Sequence, residues 1–145
     1  MLRVLYINGP NLNLLGTRET DVYGSETLMS INESIIKKAD ELGIKTQFQQ
    51  SNSEGEIIGF IHMAKTKFDC IILNPGAYTH YSIAIRDAVA AVSIPAIELH
   101  ISNVYAREEF RKNSVIAPVC AGQISGLGIK GYIIALYAVK EMFEV

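Results

Sequence analysis

Asp69-Cys70-Ile71-Ile72-Leu73 runs directly into Asn74-Pro75-Gly76-Ala77-Tyr78-Thr79-His80-Tyr81. The first stretch is apolar from Cys70 to Leu73 with no polar alternation, which predicts a strand covered on both faces, as in a parallel sheet. The second reads as a loop at the carboxyl end of that strand. Upstream, Ser53-Glu54-Gly55-Glu56 matches a capping box ahead of Ile57, Ile58, Ile61 and Ala64, so a helix leads into the strand. Downstream, residues 82–92 read as a helix whose apolar set is Ile83, Ile85, Ala88 and Val92. A buried strand between two amphipathic helices is the repeating unit of an α/β fold.

The unit recurs in both directions. Residues 2–7 form an apolar strand, and residues 44–49 alternate as a second. Between them Leu28, Ile31, Ile35 and Leu42 share a helical face, widened by Ile36 and Ala39 and closed by Gly43. Pro95 starts a fourth strand over 96–99, and 102–111 reads as a short polar helix or turn. Residues 114–120 are expected to make strand five, marked as an edge by Pro118. The last helix, 129–143, is apolar nearly all round and should dock firmly or meet a partner. The expected fold is α/β: one catalytic domain over 1–145, a flavodoxin-like, doubly wound, five-stranded parallel sheet in three α/β/α layers. Ligands of such sheets bind beyond the carboxyl ends of the strands. That rim collects Asn8 and Asn11 after strand one, Asn74 after strand three, and His100 and Ser102 after strand four.

Composition narrows the function classes. The 145 residues carry a net charge of −2, with 19% charged residues against about 25% in a typical domain. No basic run suggests nucleic acid, and no apolar stretch reaches the roughly eighteen residues of a membrane span. An apolar surplus (mean hydropathy +0.20) without a membrane helix points to an oligomer or to a generous core. The chain enters its first strand at once, with no signal-peptide layout. Cys70 and Cys120 each sit in an apolar run and read as small core residues, consistent with a reducing, cytoplasmic setting. His62, His80 and His100 have no metal-binding spacing, so no metal is expected.

The longest loop carries the most specific polar groups. Residues 8–24, Asn-Gly-Pro-Asn-Leu-Asn-Leu-Leu-Gly-Thr-Arg-Glu-Thr-Asp-Val-Tyr-Gly, exceed the two to six residues that a crossover loop ordinarily needs. Three Asn, Arg18 and Tyr23 lie among turn-forming Gly and Pro, with Leu12, Leu14 and Leu15 as anchors. An active-site lid is the favoured reading over a surface loop. A phospho-acceptor site is excluded because Asn8 and Asn74 stand where acidic residues would be needed. No GxGxxG or Walker pattern occurs. Gly122-Gln-Ile-Ser-Gly126-Leu-Gly128 either holds an anion or is a turn that delivers the last helix. Glu98 and His100, two apart at a strand end, share a face, and a carboxylate beside imidazole favours a protonated, oriented general acid. Arg18 near Tyr23 would favour a phenolate base. That pairing suits removal of water next to a carbonyl, with an enolate between two proton transfers.

Three segments match a known family in order and spacing: Asn8-Gly-Pro-Asn-Leu-Asn-Leu-Leu-Gly16 with Arg18-Glu19 and Tyr23-Gly24; Asn74-Pro-Gly-Ala-Tyr-Thr-His80; and Glu98-Leu-His-Ile-Ser-Asn103 running into Arg107-Glu-Glu-Phe-Arg111. On them the chain resembles type II 3-dehydroquinate dehydratase from end to end. The resemblance implies dehydration of 3-dehydroquinate to 3-dehydroshikimate, in the shikimate pathway or in quinate breakdown, with neither metal nor organic cofactor. It also implies trimers grouped into a dodecamer. By position, Tyr23 is implied as the base, Arg18 as the cation that keeps it ionised, and His100 as the acid. Asn11 would hold a water against the enolate oxygen, and Glu98 would tune the histidine. Implied substrate contacts are Asn74, His80, Ile101, Ser102 and Arg111, with Asp87 reaching a neighbouring subunit's site. Ile101 and Ser102 would act through backbone amides, and Arg111 would fork onto a hydroxyl. Thr20 and Tyr81 depart from the usual pattern, and His62, with no counterpart, is expected to face solvent. Two other classes are a non-catalytic module that binds a polar metabolite or flavin, and a lyase that works through a lysine imine.

Overall fold

The computed structural model describes residues 1–17 and 19–144. Five strands, β1 (Leu2–Asn8), β2 (Ile44–Gln50), β3 (Cys70–Asn74), β4 (Ala96–His100) and β5 (Gly122–Ser125), form one sheet in the order β2-β1-β3-β4-β5. Every pairing is parallel. The strand order reverses beside β1, so the crevice beyond β1 and β3 is the switch point where ligands of such sheets bind. Five α-helices accompany the sheet: a single turn α1 (Thr20–Tyr23), then α2 (Leu28–Leu42), α3 (Glu54–Lys67), α4 (Ile83–Val92) and α5 (Lys130–Phe143). The doubly wound, three-layer expectation holds.

The continuous apolar run explains the layering. Alternate β3 side chains point to opposite faces. Cys70 and Ile72 pack with Ile31 and Ile35 of α2 and Leu136 and Val139 of α5, while Ile71 and Leu73 pack with Ile57 and Ile61 of α3 and Ile85 and Val89 of α4. All five β3 residues are buried. Each fully buried Ile or Leu contributes roughly 1.5–3 kcal/mol of transfer free energy, so the central strand is the thermodynamic centre of the sheet.

Helix ends follow the local signals. Thr27, Ser53 and Ser82 cap α2, α3 and α4 by accepting the amides of Ser30, Glu56 and Ile85. The box at Ser53 is half made: Glu56 turns its carboxylate to the Ser51 hydroxyl at 2.5 Å instead of closing on Ser53. Gly43 ends α2 at φ 72°, as expected.

Two sequence expectations fail. Strand five is not residues 114–120. That segment is irregular and contains a 3-10 turn at Ala117–Val119, and β5 is the stretch from Gly122, which does form an edge. Ile36 and Ile83, placed on apolar faces, are 43% and 54% exposed, and Val89 takes the core position on α4. Of the two readings of the glycine-rich segment the turn is the one seen, with Gly126 and Gly128 donating their amides to the carbonyls of His100 and Ile101 ahead of the last helix. Residues 102–111 resolve into two 3-10 turns, Val104–Ala106 and Glu109–Lys112. The last helix buries Tyr132, Ala135, Leu136 and Val139 and leaves Ile134, Tyr137, Met142 and Phe143 at the surface. Among the described residues, no helix is long and apolar enough to cross a membrane. His62 is exposed, as expected.

Candidate active site

The loops after β1, β3 and β4 meet over the carboxyl edge of the sheet. Gly9 donates its amide to the Asn74 carbonyl at 2.8 Å, joining the first two loops backbone to backbone. A Cβ on Gly9 would meet the Pro75 carbonyl at 2.8 Å, so only glycine permits the approach. A Cβ on Gly76, at φ +58°, would meet the Pro10 carbonyl at 3.2 Å. Between these loops and the segment after β4 lies a cleft of about 610 Å³, its open mouth included.

The cleft gathers most of the residues that the sequence singled out. Asn11, Tyr23, Asn74, His80, His100 and Ile101 line it, as do Ser102 and Arg111. These positions span about a hundred residues of chain and come from the carboxyl ends of three strands, β1, β3 and β4, with the loops that follow them. Asn11 sits at φ 70°, a left-handed conformation that asparagine tolerates, and its amide donates to Asn52 Oδ1 at 3.0 Å. Asn74 is fixed in orientation. Its Oδ1 accepts the Gly76 amide at 3.2 Å, and its Nδ2 donates to the Tyr132 hydroxyl at 3.0 Å. Tyr132 in turn donates to Asn8 Oδ1 at 2.6 Å, so the rim residue Asn8 is a buried support beneath the cleft. Burial holds the Tyr132 phenol far above its ordinary range despite the Asn74 hydrogen bond, and it stays neutral.

Glu98 lies fully buried behind His100, and its Oε2 is hydrogen-bonded to His100 Nε2. The pairing follows from strand geometry, since residues two apart in β4 project to one face. Thr79 donates to Glu98 Oε2 at 2.5 Å and Ser114 to Oε1 at 2.9 Å. Burial pushes the Glu98 carboxyl up, but the His100 hydrogen bond and charge with the two hydroxyls outweigh it and hold it below the usual carboxylate range. An ionised Glu98 accepts a hydrogen bond from Nε2–H, and the His100 ring lines the cleft with Nδ1 as its other nitrogen.

A cation that sequence reasoning missed lies beside Tyr23. Arg107 donates from Nη1 to the Tyr23 hydroxyl at 2.8 Å and to Ser102 Oγ at 3.2 Å, with its guanidinium 5.4 Å from the Tyr23 ring centre. Its other end lies 3.8 Å from Glu19 of the same loop. Arg107 was visible only as the first residue of a matched segment, and nothing local joins it to Tyr23. Arg18, the expected partner, lies outside the described residues. Arg111 lines the cleft, but its guanidinium forks onto the Glu108 carboxylate at 3.1 and 3.3 Å, where a ligand hydroxyl was expected. His80 is held by a 2.7 Å hydrogen bond between Nδ1 and the Asn113 carbonyl. Asp87 is exposed on α4 and does not line this chain's cleft. Tyr81 packs near Tyr78, 64% exposed and outside the cleft, so it does not narrow it.

The arrangement offers a phenol with an arginine on its oxygen, an imidazole backed by a carboxylate, and amide donors between them. Such a set can move one proton off a ligand and another onto it.

Residues 2–140 match the family model described as "Dehydroquinase class II". A 3-dehydroquinate dehydratase of Caldicellulosiruptor saccharolyticus is 66% identical over 143 residues, covering 98% of this chain and 99% of that protein. One of Pelotomaculum thermopropionicum is 54% identical over 97% of this chain and 98% of its own length. Among solved structures, a type II dehydroquinase from Butyrivibrio crossotus superposes with a TM-score of 0.93 at 52% identity, covering 95% of this chain and 97% of that one. A type II dehydroquinase from Propionibacterium acnes gives 0.94 at 42% identity, with 97% of each chain covered.

Proposed function

The chain belongs to the class II dehydroquinase family, and from that premise we propose that it dehydrates 3-dehydroquinate to 3-dehydroshikimate through an enolate, with Tyr23 as base and His100 as acid. The phenolate oxygen of Tyr23 takes a proton from the carbon beside the ketone, and the C–H electron pair moves into the enolate. As the enolate collapses, the C–O bond to the neighbouring hydroxyl breaks, and His100 Nδ1 gives that oxygen a proton, so that water leaves. Asn11 holds a water against the enolate oxygen, where negative charge develops. Both proton transfers are assigned to side chains, with no cofactor.

One observation carries this reading: Tyr23 and His100 line the same cleft, each with its electrostatic support behind it. The Arg107 guanidinium donates to the phenol oxygen, and the fully buried Glu98 carboxylate is hydrogen-bonded to the imidazole. Arg18, in the same loop as Tyr23, adds a second cation. Asn74, His80 and Arg111 bind the substrate, with the backbone of Ile101 and Ser102. Arg107 and Arg111 line the cleft and offer guanidinium donors to a substrate that carries a carboxylate. The chain works as one catalytic domain over 1–145 in the cytoplasm, in the shikimate pathway or in quinate breakdown. It assembles as trimers within a dodecamer, with Asp87 reaching the neighbouring cleft.

Purified protein mixed with 3-dehydroquinate should develop the absorbance of a conjugated enone. Folded protein that leaves the spectrum unchanged would overturn the activity.

A further inference from the structure

Ser114 lies in the irregular segment between β4 and β5, and its hydroxyl oxygen accepts two backbone amides, from Ile116 at 3.2 Å and Ala117 at 2.9 Å. A hydroxyl oxygen has two lone pairs and one proton. With both lone pairs engaged, Ser114 meets its remaining neighbours as a donor. Those neighbours are Thr79 Oγ1 at 2.6 Å and Glu98, at 2.9 Å to Oε1 and 3.2 Å to Oε2. Glu98, a charged acceptor, takes the Ser114 proton, and with both lone pairs engaged Ser114 cannot accept from Thr79. The Thr79 hydrogen is therefore sent to Glu98 Oε2, 2.5 Å away.

The direction of the whole chain follows: backbone amides to Ser114, the two hydroxyls to Glu98, and His100 Nε2 to the same carboxylate from the other side. Glu98 is fully buried and is met only by donors among the described residues. Among the described residues, a proton on Glu98 would have His100 Nε2 as its only acceptor. The hydroxyls thus oppose transfer of the shared proton from imidazole to carboxylate. The nearby Cys120 thiol, which burial pushes up to about 12, stays neutral and brings no competing charge.

We infer that Ser114, acting with Thr79, is a positioning residue that keeps Glu98 an acceptor and so holds the shared proton on His100. This rests on the reading of His100 as the acid in the proposed dehydration. It adds a requirement to that reading: the acid is set by a hydroxyl on a segment that never touches the cleft.

The test is a double-mutant cycle on the full-length protein, read by kinetics and by 15N NMR of the His100 ring without substrate. Ser114→Ala should lower kcat about tenfold while KM moves less than about twofold, because a hydrogen bond to a buried charge is lost and no substrate contact is. It should also move the Nε2 resonance toward that of a neutral ring. In a Glu98→Gln background the same substitution should change neither kcat nor the resonance, since the group through which it acts is gone. Ser114→Thr, which keeps the hydroxyl, should restore both. Thr79→Val carries the same expectations if Ser114→Ala does not fold. An unmoved resonance, or an equal loss of kcat in the Glu98→Gln background, would overturn the inference. Wild-type protein inactive on 3-dehydroquinate would overturn the dehydratase reading instead, and the resonance arm would still decide the role of Ser114.

Discussion

Tyr23→Phe removes the oxygen that meets the Arg107 guanidinium at 2.8 Å and almost no volume. If that oxygen is the base, turnover should fall by more than about a thousandfold while a product analogue binds with nearly unchanged affinity, because only the transition state loses an interaction. Steady-state kinetics with equilibrium titration of the analogue check this, and affinity lost in step with rate would make Tyr23 a binding residue. Arg107→Gln should lower kcat at least tenfold with a smaller effect on KM, as expected when a charge that acts on the developing transition state is removed. At this scale the sequence was informative where chemistry is local. Glu98 and His100 are two apart in one strand, so their hydrogen bond is a consequence of pleat geometry. The Tyr23–Arg107 contact spans 84 positions, and no local pattern encodes it. Ser114 was hidden for a related reason: its role depends on where Glu98 comes to lie beneath the 3-10 turn that ends at His80.

The elements that shape the cleft are loops locked to one another by their backbones. Gly9→Ala would press a methyl group against the Pro75 carbonyl and separate the loops that carry Asn11 and Asn74. Overpacking of this kind costs about 1–3 kcal/mol, so denaturant unfolding should show that loss, and kcat should fall because two cleft residues shift together. A variant with wild-type stability and rate would mean that the loops can move apart freely. The misplaced fifth strand has the same kind of explanation. Residues 114–120 contain Val115, Ile116 and Val119 and resemble a strand, yet the Ser114 hydroxyl takes the amides of Ile116 and Ala117 and bends the chain into a 3-10 turn. Side-chain capture of backbone amides competes directly with ladder formation. Gly122-Gln-Ile-Ser has little strand character of its own and is a strand because β4 offers an edge at Ile97 to His100.

For the molecule as a whole, Glu98 links the site to stability. Its folded carboxyl lies below the ordinary range, so its ionised form stabilises the native state above the unfolded value of about 4.3, and that contribution is lost as pH falls through the folded value. Urea unfolding at descending pH should show a steeper acid loss for the wild type than for Glu98→Gln, and parallel curves would contradict the linkage. The surface makes a separate demand. Tyr81, Ile83, Tyr105 and Phe110, in the segments after β3 and β4, are each more than half exposed. If these side chains lie between the subunits of the proposed assembly, sedimentation should find a multiple of three 16.0 kDa chains, and a monomer would refute both that assembly and the reach of Asp87 into a neighbouring cleft. By itself the sequence determined the alternation of strands and helices, the two-sided burial of the central strand and the set of polar residues at the strand ends, because periodicity and capping are written within a few residues of each other. Only the tertiary structure decided which strand forms the far edge, that Arg107 meets Tyr23 and which hydroxyls hold Glu98. Those choices are contacts between segments distant along the chain, and their energies exist only once the sheet has brought the segments together.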